Sequence, residues 1–226
     1  MQGAGAGDSI LVEWFGHSYV RLTYPSGFRL VIDPHDGGSL NLPEFRVEAD
    51  ALLITHDHYD HNAVEMVDAP KGAVYKSLRG KVNLGQVKVV GYRSFHDKSQ
   101  GSIRGENTVY IIEGPLRAAH LGDLGHKPGT ELLDALQGID LLIIPVGGVY
   151  TIDAYEAWEI VESVKPRLVL PIHYWIPRST VPLDPLEVFL NISKARRLRV
   201  EGNSIKVAKT SLPEKTTILV MQLPYG

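Results

Sequence analysis

Cysteine is absent from the 226-residue chain, which excludes disulfides and thiolate ligands and leaves His, Asp and Glu to hold any metal. A basic excess is also missing. The 23 Lys and Arg stand against 26 Asp and Glu, a formal charge of -3, so nothing draws the chain to nucleic acid or to an anionic membrane. No apolar run approaches the ~20 residues of a membrane span, and Met1 to Gly7 lacks the basic and apolar regions of a signal peptide. These absences predict a cytoplasmic protein with no membrane or nucleic-acid partner. Neither an internal repeat nor a Pro/Ser-rich linker divides the chain, and 44% hydrophobic content suffices for one large core, so a single domain over residues 1–226 is expected.

What the chain does have is His56-Asp57-His58-Tyr59-Asp60-His61, which packs three of the nine histidines and two carboxylates into six residues. Neutral imidazole and carboxylate suit zinc, iron and manganese, and a short loop aims several of them at one point. The apolar run Ala51 to Ile54 just before it supplies a rigid strand. A plain strand-to-helix connection, with Asp60 capping a helix that opens near Asn62, leaves the repeated histidines without a reason.

Apolar, β-branched runs predict strands at Ile10 to Phe15, Tyr19 to Tyr24, Phe28 to Ile32, Ala51 to Ile54, Val87 to Tyr92, Thr108 to Glu113, Arg117 to Leu121, Asp140 to Ile144, Leu168 to Leu170 and Thr216 to Val220. Pro25-Ser26-Gly27 makes the second and third a hairpin. Helices are expected near Asn62, over Thr130 to Leu136, over Asp153 to Val164 and from Asp184 to about Arg197. Asp153 and Glu156 fit a capping box, and Ala157, Ile160, Val161 and Val164 share one helical face. The basic run Lys194 to Arg199 is then explained by the dipole at a helix C-terminus. Early hairpins followed by strand-helix alternation suggest two sheets packed face to face with helices outside.

Four further segments put His or Asp at or near strand ends: Phe15-Gly16-His17-Ser18, Ser94-Phe95-His96-Asp97, His120 to His126, and Pro171-Ile172-His173-Tyr174-Trp175. With Ile32-Asp33-Pro34 and Ile144-Pro145-Val146-Gly147-Gly148, and in this order, the motifs resemble the metallo-β-lactamase fold hydrolases. The branch most similar is that of ascorbate-6-phosphate lactonase. The resemblance covers nearly the whole chain, although only the hexapeptide is individually specific.

That resemblance implies an α+β fold, a four-layer αββα sandwich with the site at one edge between the sheets. It implies two divalent ions, Zn2+ or Mn2+: His56, His58 and His96 on the first, Asp60, His61 and His173 on the second, with Asp123 bridging. His17 is placed near the centre, with Asp60, as a catalytic candidate. Asp33 and His120 are expected to hold a ligand from behind, and His35 and His126 lie in loops that are either solvated or line the cleft.

The expected activity is metal-dependent hydrolysis of a small ester, lactone or phosphodiester, in which two ions lower the pKa of water from ~15.7 towards 7 and supply hydroxide at neutral pH. Lys98, Arg104, Tyr150, Trp175 and Arg178 are candidates for recognising an anionic small molecule, and self-association is consistent with the branch. The competing expectation is a metal-binding regulatory or interaction protein that lost turnover.

Overall fold

The computed structural model describes residues 9–70 and 73–223; Met1 to Gly7, the segment without signal-peptide features, lies outside them. Strands β1 (Ser9–Trp14), β2 (Val20–Thr23) and β3 (Arg29–Ile32) form an antiparallel meander, and Tyr24 and Phe28 close the hairpin across Pro25-Ser26-Gly27. A short β4 (Val47–Glu48) leads to β5 (Ala51–Ile54), which runs parallel to β3. The helix expected near Asn62 does not form. Residues Val64–Met66 make one 3-10 turn, and the chain then enters β6 (Val67–Asp68), whose backbone pairs with β4. Pairing satisfies backbone groups that a helix ending before Pro70 would leave open.

Strand β7 (Val74–Lys76) completes that first sheet, and β8 (Gly80–Asn83), β9 (Lys88–Phe95), β10 (Glu106–Glu113) and β11 (Ala118–His120) begin the second. After helix α1 (Thr130–Ala135) come β12 (Leu141–Pro145), α2 (Ala154–Val164), β13 (Leu168–Ile172) and α3 (Leu186–Ile192). The α2 capping box is present as expected: Asp153 Oδ1 accepts from the Glu156 N–H at 2.8 Å, and the Asp153 N–H donates to Glu156 Oε2 at 3.1 Å. β12 and β13 are parallel and fully buried, as strands covered on both faces must be.

The helix expected to reach Arg197 stops at Ile192. Ser193 turns extended, and Arg196–Arg199 becomes strand β14, paired in parallel with β16 (Thr217–Val220). The basic run therefore does not serve a helix dipole. It lines the edge of the second sheet, where exposed charge opposes edge-to-edge association. β15 (Ser204–Ala208) closes the opposite sheet beside β1.

The sheets have orders β15-β1-β2-β3-β5-β7 and β14-β16-β13-β12-β11-β10-β9-β8. Side chains alternate strictly on the first. Leu30, Ile32, Ala51 and Leu53 point into the large core shared with the second sheet, while Val31, Leu52 and Ile54 join a smaller cluster outside with Phe15 and Tyr19. Each such fully buried aliphatic side chain is worth ~1.5–3 kcal/mol of transfer free energy. The fold is the expected α+β sandwich, with one outer layer built mainly of turns and a two-stranded ribbon. No helix among the described residues is long and apolar enough to cross a membrane.

Candidate metal centre

Every residue singled out above as a ligand sits just beyond the end of a strand, where a stiff sheet fixes its backbone and leaves its side chain beyond the ladder. β5 leads into His56 to His61, β9 into His96, β11 into Asp123 and β13 into His173. β1 and β3 deliver His17 and Asp33. His17, Asp33 and His173 all adopt left-handed backbone conformations, with φ of 49°, 49° and 50°. Such conformations cost non-glycine residues ~1–3 kcal/mol and persist only where the surroundings enforce them. Two enforcing bonds are visible: the His17 carbonyl accepts from the His173 N–H at 3.2 Å and from Trp14 Nε1 at 3.0 Å.

Two glycines set how closely these loops approach. Gly122 has φ +54°, and a Cβ there would lie 2.4 Å from Asn107 Oδ1 and 2.8 Å from Thr55. A Cβ on Gly147 would fall 2.2 Å from the His173 carbonyl. Any side chain at either position would force apart the loops carrying Asp123, His56 and His173.

Besides Asp33 with His56 and His61, two groups of donor atoms each lie within 4.8 Å of one another: His56, His58 and His96 in one, and His17, Asp60, His61 and His173 in the other. Asp123 lies between them. Its Oδ2 is 3.1 Å from His96 Nε2, 3.1 Å from His173 Nε2, 3.3 Å from His61 Nε2 and 3.8 Å from His56 Nε2. The six ligand positions grouped by the resemblance fall into the same two groups here, with His17 joining the second.

A hydrogen-bond chain behind the cluster determines which nitrogens face it. Asp33 accepts from the Thr55 N–H at 2.7 Å, from Thr55 Oγ1 at 2.6 Å and from His61 Nδ1 at 3.1 Å. Thr55 Oγ1, its proton committed to Asp33, accepts from His56 Nδ1 at 2.9 Å. One buried carboxylate thus sets the tautomer of two imidazoles, and both Nε2 atoms turn towards Asp123.

These atoms fit a metal. His56 Nε2, His61 Nε2, His96 Nδ1, His173 Nδ1 and Asp123 Oδ1 are buried without any hydrogen-bond partner, five of the seven such side-chain atoms among the described residues. Unpaired buried polar atoms cost ~1–3 kcal/mol each, and here they concentrate where a divalent ion would satisfy them. The electrostatics agree. Burial, reinforced by neighbouring imidazoles, holds His56 well below its usual value, which keeps it neutral. For Asp123 burial opposes ionisation, but His173, His61 and His96 overcome it and hold the carboxyl well below the usual range. Burial likewise opposes the charged form of His61, yet Asp123 and Asp60 raise it well above 6.5.

His17 is buried, and its Nε2 donates to Asp60 Oδ2 at 3.0 Å. Burial, then His173, lowers its pKa to about 3. His120 Nε2 donates to the Ser18 carbonyl at 3.1 Å, and its Nδ1 accepts from the Gly122 N–H at 3.1 Å, so it ties the loop after β1 to the turn before Asp123. His35 and His126 do not line the cleft. His35 is fully buried between the Phe15 carbonyl and the Gly37 N–H, and His126 Nε2 accepts from the Phe95 N–H. Both were drawn into backbone hydrogen bonds that their position in the chain does not announce.

The cleft over the cluster has a volume of about 390 Å³ and a floor of His58, Asp60, His96, Asp123 and His173. Tyr59, Arg104, Tyr150, Thr180, Val181 and Pro182 form its walls. Of the five recognition candidates, Arg104 and Tyr150 reach it. Lys98 instead pairs with Glu156 at 2.6 Å, and neither Trp175 nor Arg178 is among the lining residues. Three residues to which the sequence assigned no role matter here. Thr55 relays Asp33 to His56. Asn107 accepts from the Asp123 N–H at 3.1 Å while donating to Ser94 and the Leu121 carbonyl. Asp97 organises the loop after His96. Asp97 carried a faint signal, since Asp commonly caps backbone N–H groups a few residues on.

The chain belongs to the metallo-β-lactamase superfamily: a model of the β-lactamase superfamily domain matches residues 11–173. Within it the chain falls among the UPF0173 metal-dependent hydrolases. It is 32% identical over 207 residues to a UPF0173 metal-dependent hydrolase of Thermococcus onnurineus, covering 79% of this chain and 90% of that one. A UPF0173 protein of Pyrococcus furiosus is 31% identical over 186 residues, covering 72% and 82%. A crystal structure from Thermotoga maritima, described as a Zn-dependent hydrolase of the superfamily, aligns with a TM-score of 0.74 and 28% identity over 94% of this chain and 100% of its own.

Proposed function

We propose that this chain is a hydrolase that works with two divalent ions, Zn2+ or Mn2+, on a small ester, lactone or phosphodiester. The observation carrying the reading is the set of unpartnered buried atoms around Asp123, on two groups of donors turned to a common cleft. His56, His58 and His96 would hold one ion, Asp60, His61 and His173 the other, and Asp123 both. Bound there, the ions would make water acidic enough to attack at neutral pH and would polarise the carbonyl or phosphoryl oxygen under attack.

The protein's own groups do the positioning. Asp33 and Thr55 keep Nε2 of His56 and His61 turned towards Asp123, which preserves ligand geometry when the site is empty. His17 donates to Asp60 Oδ2 and holds that carboxylate at the cleft floor, where it orients the attacking water. His17 itself is screened from the cleft by Asp60 and His173, so we assign it a positioning role. No serine or cysteine nucleophile is required.

The test is turnover of lactones, phosphodiesters and phosphomonoesters by zinc- and manganese-loaded protein, with Asp60→Ala beside the wild type. Metal-dependent hydrolysis that disappears in the variant supports the reading. Tight metal binding with no turnover across the panel would replace it by a non-catalytic metal-binding role.

A further inference from the structure

Arg104 is the one arginine among the residues lining the cleft. Arg21, Arg29, Arg79 and Arg93, away from it, each pair with a carboxylate. Arg104 has no ion-pair partner among the described residues, although it lines a cleft whose floor contains two carboxylates. Its guanidinium carbon lies 5.3 Å from the centre of the Tyr150 ring, a contact that steadies a cation without neutralising it.

The backbone beneath Arg104 is braced as a binding element would be. Asp97, adjacent to His96, accepts from the N–H groups of Ser99 at 2.7 Å and Gly101 at 2.9 Å through one oxygen. Through the other it accepts from Ile103 at 3.1 Å and Arg104 at 2.8 Å. The residue that follows a cluster histidine therefore holds Arg104 by its own N–H, which anchors the backbone from which the guanidinium reaches the cleft. Opposite stand Tyr59, Val181 and Pro182, which offer contact area but no charge.

We infer that Arg104 is a substrate-recognition residue and that the substrate carries an oxyanion, a carboxylate or a phosphate, gripped by this guanidinium while its scissile bond lies over the metal cluster. The inference rests on the hydrolase reading above. Arginine's planar fork suits both anions, and a pre-positioned fork loses little freedom on binding. Two dications against Asp60, Asp123 and neutral imidazoles leave the floor positive, so floor and wall attract the same ligand.

Three aryl esters with one leaving group, differing only in an acyl-side carboxylate, phosphate or neutral substituent, separate the possibilities. They are assayed on wild type, Arg104→Gln and Arg104→Lys, each with metal content verified by elemental analysis. The ratio of kcat/KM for anionic over neutral ester is expected to fall ~10–100-fold in Arg104→Gln, mainly through KM, and to recover partly in Arg104→Lys. The anion whose ratio falls further identifies the source. Ratios within twofold of wild type for both anions overturn the inference. If wild type hydrolyses none of the esters, the hydrolase reading is judged on the panel of lactones, phosphodiesters and phosphomonoesters above, and calorimetric titration of the metal-loaded proteins with inorganic phosphate and with benzoate decides recognition. A Kd at least tenfold weaker in Arg104→Gln for either anion supports it, and equal values for both overturn it.

Discussion

The two halves of the centre are built from different materials. The group of His56, His58 and His96 is all imidazole, and His58 is only half-buried beside the cleft. The group of His17, Asp60, His61 and His173 contains a carboxylate, and its three histidines are no more than 1% exposed. An ionised donor in a dry setting attracts a dication more strongly than neutral nitrogens near solvent. The second half should therefore fill first and exchange slowly, and the first should exchange with the medium.

The harshest way to break that contrast is to remove what both halves share. Asp123→Ala should abolish binding at both and lower kcat/KM by on the order of 10³-fold or more; elemental analysis retaining two ions per chain would remove Asp123 from between them. Asp60→Asn should spare the first half and empty the second, with activity falling ~10²–10³-fold. If the first group instead loses its ion, the ranking of the halves is reversed. Milder still is Asp33→Asn, which disturbs His61 directly and His56 only through Thr55. Metal affinity should drop ~10–100-fold at the second half and less at the first. Thr55→Val should reverse the order, affecting His56 directly and His61 only through Asp33, as competition with a chromophoric chelator would reveal.

The smallest effect is a proton count. In the metal-free protein His61 is raised well above 6.5, whereas His56 is lowered well below it. Filling the second half at pH 7 should expel about one proton and filling the first almost none, because metal ligands bind deprotonated. Calorimetry in buffers of different ionisation enthalpy reads this directly. The sign for stability is opposite. His61 stabilises the metal-free fold fully below its unfolded value of ~6.5, and that contribution disappears as pH rises through the raised folded value. Affinity at the second half should therefore climb with pH just where the empty protein loses this source of stability.

The central parts of this arrangement were legible before any coordinates. His56 to His61 lie within one loop and stand out by themselves, whereas His96, Asp123 and His173, each following an apolar run, were picked out by the order of motifs that the family resemblance supplies. The capping box at Asp153 is equally local. What escaped reading depends on distant partners. β14 and β15 are polar edge strands whose pairing, not composition, makes them strands. Asn107 holds the Asp123 backbone across 16 positions, and Thr55 joins Asp33 across 22, contacts that exist only after the sheets assemble. His35 failed as a cleft residue for the same reason, since its partner Phe15, 20 positions away, meets it only in the fold.

The left-handed turns at His17, Asp33 and His173 also constrain how this protein can be engineered. Glycine at any of them would relieve a backbone cost, the exchange that a stabilising design guided by φ alone would choose. Each would also delete a side chain from the cluster or from the residue that aims it. At these three sites the search for a hardier variant and the search for an active one point in opposite directions, so stabilising changes belong in the edge strands and surface loops, away from the centre.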